Sequence, residues 1–176
     1  MASQDDDRDA VDRIIAQWSR ERPELDTGPM AVVGRLHRLA ALLEVELRTV
    51  FAEAGLGNGD FDVLASLRRA GEPYRLSPSR LAASTMVTAG AISKRLDRLE
   101  ERGLVRRTVS ASDGRGRDIQ LTARGRRLTD DLVVRHWANE DRLLSALDAD
   151  ERAQMVGLLR KLLLDVEGPG TGPDDA

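Results

Sequence analysis

The feature that most constrains this chain is a change of period at Gly103. Upstream, residues 89 to 102 place Ile92, Leu96 and Leu99 on one face of a helix, and Gly103 stops it. Downstream, Leu104 to Val109 reads as a strand, Ser110 to Gly116 as a polar turn, and Arg117 to Leu121 as the returning strand. Ahead of this stands a shorter helix, capped by Ser77 with Pro78 at its first position, and a tight link over 84 to 87. Helix, tight link, helix, glycine stop and β-hairpin is the order of a winged helix-turn-helix. The fold class expected is therefore mainly α with a small β-hairpin wing, flanked by long helices.

The flanking helices are read from the same periodicity. Val11, Ile14, Ile15 and Trp18 fall at helical spacing before Pro23. A helix from about 30 to 54 follows, roughly 40 Å long at about 1.5 Å per residue. A shorter one covers 61 to 70, with Gly71 at its end. Thr122 caps a helix from about 123 to 146, and Asp148 or Asp150 caps the last, to about Val166. The organisation expected is an acidic N-terminus with an extra helix over 1–28, long outer helices over 29–56 and 123–166, the winged helix-turn-helix over 57–122 and a disordered tail over 167–176.

Charge separates this middle region from the rest. Residues 75 to 127 hold thirteen Lys or Arg against five acids, a surplus of eight. The whole chain carries −3, so the remainder carries −11. A basic module in an acidic body is the footprint of a polyanion partner. On the second helix Thr88, Ala89, Gly90, Ser93, Lys94 and Arg98 are small, polar or basic opposite the apolar stripe. Small residues admit close approach to a major groove, hydroxyls bond phosphates or base edges, and cations reach guanine or phosphate. Ser77 and Ser79 open the first helix, while Arg115 and Arg117 belong to the wing. An ordinary hairpin whose arginines solubilise its tip is the plainer alternative for the wing alone.

Other classes find little support. With no cysteine, disulfide, zinc-ribbon and thiol-redox designs are excluded. No apolar run reaches the ~20 residues of a membrane span, and the acidic start is unlike a signal peptide, so a cytoplasmic chain is expected. No catalytic constellation or metal site is apparent, and neither an enzyme nor a cofactor is expected. His37 reads as a partly exposed structural histidine, with a pH-sensing interface as the alternative. His136 has no ligand-like neighbours in sequence.

Leu81-Ala82, the run from Lys94 to Arg107, Asp113-Gly114-Arg115 and Leu121 to Gly125 together resemble the MarR family over residues 30 to 166. The resemblance implies a homodimer with interleaved terminal helices, bound to double-stranded DNA at two half-sites about one turn apart. Leu143, Leu144, Leu147, Met155, Leu158, Leu159, Leu162 and Leu163 would then be interface. The family commonly carries Asp-Arg-Arg in its wing; here Gly114 replaces the middle arginine, Arg115 carries over, and Arg117 partly substitutes. The extra N-terminal helix is similar to the urate-responsive subgroup of the family. Matched motif to motif, its anion pocket implies Trp18, Asp62, Arg95 and Arg107 as ligand-binding residues. Urate or a similar small anion, stacked on Trp18 and paired with guanidinium groups, would draw Arg95 away from DNA. The plainer alternatives are that Trp18 completes an apolar stripe, Asp62 caps a helix and the arginines touch phosphate. The function expected is a ligand-responsive regulator, a repressor in the sense the family implies; the alternative is a winged-helix module that binds protein and no DNA.

Overall fold

The structure is a computed structural model, describing residues 8–85, 89–109 and 116–168, with the side chains of 89–91 excepted. Seven helices and three strands run in the order α1 (Ala10–Glu21), α2 (Gly28–Ala52), α3 (Asn58–Arg69), β1 (Arg75–Leu76), α4 (Pro78–Ser84), α5 (Ala89–Glu101), β2 (Val105–Val109), β3 (Arg117–Leu121), α6 (Ala123–Leu143) and α7 (Ala149–Glu167). The chain divides within α2 into two compact units, 1–46 and 47–176.

In the first unit, α1 begins with a reciprocal cap. Asp9 accepts from the amides of Val11 (2.7 Å) and Asp12 (2.9 Å), and the Asp12 carboxylate accepts from the Asp9 amide (3.1 Å). Arg35 of α2 reaches both carboxylates, at 2.8 Å and 2.6 Å. The Asp12 amide above all, with the Val11 amide and Arg35 in support, holds the Asp9 carboxyl below its ordinary range. Val11 is buried, but Ile14 and Trp18 of the same stripe are exposed.

In the second unit, Leu64, Leu67, Leu81, Leu99, Leu104, Ile119 and Leu132 are all but inaccessible and bind α3 to α4, α5, the sheet and α6. The apolar period read from sequence on α5 is the buried one: Ile92, Leu96 and Leu99 all face this core. Gly103, at φ 67°, ends the helix in the left-handed region where glycine carries no Cβ penalty. The wing is a three-stranded antiparallel sheet of order β1-β3-β2, not the two-stranded hairpin expected. Arg75 pairs with Gln120 and Leu76 with Ile119, adding an edge strand too short for any period to reveal.

Thr122 caps α6 by accepting from the Gly125 amide at 3.0 Å, and its hydroxyl donates to the Gly103 carbonyl at 2.8 Å. A Cβ on Gly125 would lie 1.9 Å from the Leu104 carbonyl oxygen, so the start of α6 rests directly on the turn into β2. Asp148 caps α7 in a reciprocal box with Glu151. No residue of α7 is buried.

Candidate nucleic-acid interface

The side chains expected at DNA fall on α4, α5 and β3. Ser77 accepts from the Arg80 amide at 3.3 Å, so its hydroxyl builds α4, and it lies 3.1 Å from the Ser79 hydroxyl. Ser79, Ser93 and Arg117 line one cleft of about 440 Å³, floored by Ile92, Leu96 and Ile119. Three elements thus bring polar and basic groups to a common opening, although Ser79 and Arg117 are 38 residues apart in sequence (79 and 117). Lys94 and Arg117 are exposed and meet no acid among the described residues. Arg80 is similarly exposed and unpaired. It belongs to the basic stretch, and its place in the first turn of α4, three residues past the cap, is the sequence signal that sets it beside Ser77 and Ser79. Ala89 and Gly90 are helical, in the first turn of α5, while Thr88 and Arg115, with Asp113 and Gly114, lie outside the described residues.

The other arginines of α5 point to the start of α3. Arg98, expected at DNA, pairs with Asp60 at 2.8 Å, leaving its guanidinium half exposed and the carboxylate nearly buried. Asp60 also accepts from the Gly57 amide at 3.1 Å, so one carboxylate caps α3 and anchors α5. This is Asp60, not Asp62: Gly57 holds the cap position, which puts Asp60 at the third helical residue where a carboxylate reaches back. Arg102 donates to the carbonyls of Gly55 and Ala54, each at 2.7 Å, satisfying groups left open where α2 ends. The Arg95 guanidinium lies against Gly59, where a Cβ would fall 2.4 Å from its Cζ. Its Nη1 is buried with no hydrogen-bond partner among the described residues.

Of the four residues assigned to an effector, Arg107 is fully engaged. It donates to Asp97 at 2.6 Å and to Glu100, and Asp97 first among these raises the guanidinium pKa above its ordinary value. Asp62 lines a separate cleft of about 800 Å³ between α3 and α6. Trp18 belongs to the first unit and is half exposed. The larger cleft also takes in His136, read from sequence as having no ligand-like surroundings. Its neighbours Asn58, Phe51 and Phe61 come from α2 and α3, about 75 or more residues away, a distance at which local pattern carries no signal.

Comparison with known proteins agrees with this architecture. The MarR family model matches residues 54–116. The regulator PecS of Dickeya dadantii is 40% identical over 152 residues, covering 86% of this chain and 92% of its own. AbsC, a MarR family regulator from Streptomyces coelicolor, superposes with a TM-score of 0.71 at 27% identity, over 82% of this chain and 97% of that one. Rv2887 of Mycobacterium tuberculosis, solved in complex with salicylic acid, gives 0.59 at 32% identity, over 74% and 95%. The chain belongs to the MarR family of winged helix-turn-helix transcriptional regulators, proteins that bind DNA.

Proposed function

We propose that the chain represses transcription as a homodimer, holding a pseudo-palindromic operator until a small anion of the urate type releases it. The observation that carries the dimer is α7, nineteen residues long with none buried. Leu158, Leu162, Leu163 and Leu164 stand exposed along it, and a helix so apolar needs a covering surface. A second copy supplies one, and twofold symmetry then sets two α4–α5 units against two half-sites. In each, Ser79, Ser93, Lys94 and Arg117 contact DNA, with Ser77, Thr88, Ala89, Gly90, Arg98 and Arg115 completing the surface that the family resemblance assigns.

Release runs through α5. Arg95 offers an unsatisfied guanidinium nitrogen beside the start of α3, and Arg107 holds two acids that an anion can displace. An effector that draws Arg95 inward changes the seat of the helix that reads DNA. The salicylic acid complex of Rv2887 supports a small aromatic anion as the class. Trp18 and Asp62 enter this reading from the resemblance to the urate-responsive subgroup.

A gel shift with the chain's own upstream region, with and without urate, tests the proposal. Wild type should shift the DNA as a dimer by light scattering and release it with urate, while Trp18→Phe and Asp62→Ala should need more urate. A monomer, or a wild type indifferent to urate, overturns the corresponding part. Failure to bind any DNA would favour a protein-interaction module.

A further inference from the structure

Asp60 uses both of its carboxylate oxygens. One accepts from the Gly57 amide at 3.1 Å, closing the cap of α3, and the other accepts from Arg98 Nη2 at 2.8 Å. Its side chain is 11% exposed, against 57% for Arg98. The carboxylate is therefore a fixed post, while the guanidinium stands half in solvent. Arg98 Nε and Nη1 make no hydrogen bond among the described residues, so donors remain free on the fork.

The helix beneath Arg98 is held as well. One turn on, Arg102 donates to the Gly55 and Ala54 carbonyls at 2.7 Å each, and one turn back the Arg95 guanidinium lies against Gly59. Lys94, four residues before Arg98 and so on the same face of α5, stands exposed and meets no acid among the described residues. An arginine free in water gives up its rotamers when it meets a phosphate. One already held gives up fewer, and its remaining donors are placed in advance. The repulsion between Asp60 and DNA is blunted, because the carboxylate sits in the first turn of α3, where the helix dipole and the Gly57 amide take up its charge.

We propose that Asp60 is a positioning residue for DNA binding: it holds Arg98 with its free donors toward a backbone phosphate, so that one guanidinium bridges the carboxylate and the DNA. This rests on the reading of α5 as a DNA-facing helix and adds to it a residue behind the contact surface.

Fluorescence anisotropy of the full-length protein on its own upstream region, across a salt series, tests this with Asp60→Asn, Arg98→Ala, the double variant and Lys94→Ala. The asparagine oxygen still accepts from Gly57, so α3 keeps its cap while the anionic hold on Arg98 is lost. Arg98→Ala should weaken binding and lower the salt slope by about one, as for any lost phosphate contact. Asp60→Asn should weaken binding roughly fivefold with the slope unchanged, and should cost nothing further in the Arg98→Ala background. Asp60→Glu, which restores the anion, should recover most of the loss. Tighter binding by Asp60→Asn, the result of simply removing a negative charge beside DNA, overturns the proposal. So does an equal loss with and without Arg98, or an unchanged slope in Arg98→Ala. If Lys94→Ala weakens binding and Asp60→Asn does not, this inference alone fails; if neither Lys94→Ala nor Arg98→Ala has an effect, the DNA-facing reading of α5 fails with it. Should Asp60→Asn not fold, nitrogen-15 NMR of the wild-type Arg98 guanidinium decides. Its signal should be ordered before DNA is added and should shift, still ordered, in the complex; a mobile side chain in the free protein overturns the proposal.

Discussion

Replacing Gly125 by alanine sets two rules against each other. Gly125 is the third residue of α6, where helix propensity alone favours alanine by at most about 1 kcal/mol. The new Cβ, however, would lie 1.9 Å from the Leu104 carbonyl oxygen and 2.9 Å from its carbon. Carbon–oxygen contacts run at about 3.3 Å, so the helix start must retreat by roughly 1.4 Å. The obstacle is backbone, which cannot rotate away. Retreat strains the Thr122 hydroxyl between Gly103 O and the Gly125 amide, a cap worth about 1 kcal/mol. It also loosens Thr129 and Leu132, both inaccessible, one turn and two turns on. Overpacking of this kind costs about 1–3 kcal/mol; with the cap loss and the propensity gain offsetting each other, the net should be a loss of about 1–3 kcal/mol. For a chain of this length that lowers Tm by roughly 2–12 °C. Thermal and urea melts of both proteins at one fixed protomer concentration, followed by circular dichroism, measure it. Unchanged or raised stability would refute the argument, because propensity would then have outweighed the contact.

Other outcomes follow from single contacts. Arg102→Ala should lose about 1–2 kcal/mol in the same melts, since two α2-end carbonyls lose their donor; intact stability would show water serves them equally. Lys94→Ala and Arg117→Ala should each weaken binding of any DNA and reduce the salt slope by about one, read by fluorescence anisotropy, with melts unchanged. The Asp9 carboxyl titrates below its ordinary range, chiefly because it accepts from the Asp12 amide. Its contribution to α1 is therefore present above the unfolded carboxylate pKa and lost as pH falls through the lower folded value. Amide exchange at Val11 and Asp12 should accelerate only in that acid window, and Asp9→Ala should remove the transition.

Local chemistry made the reading region legible. Ser77, Pro78, Thr122 and Gly103 each act on their own few residues, and each does in the structure what its type dictates. The apolar period on α5 was visible for the same reason. What lay hidden depends on distant partners. The Arg98–Asp60 pair joins residues 38 apart, which no local pattern signals, and β1 has meaning only as the neighbour of β3. His136 gained its aromatic surroundings from α2 and α3, so a histidine dismissed on its sequence neighbours lines the larger cleft. The stripe through Ile14 and Trp18 shows the converse: helical spacing identified the helix but not which of its residues would be covered.

The central claim is that exposed cations and hydroxyls on α4, α5 and β3 grip DNA. The most direct measurement is the affinity of the full-length protein for its own upstream region across a salt series, beside the same titration on Lys94→Ala with Arg117→Ala. Log affinity should fall steeply and linearly with log salt, and the double variant should bind more weakly with a slope shallower by about two. A flat salt dependence, or a double variant that matches wild type, would contradict it.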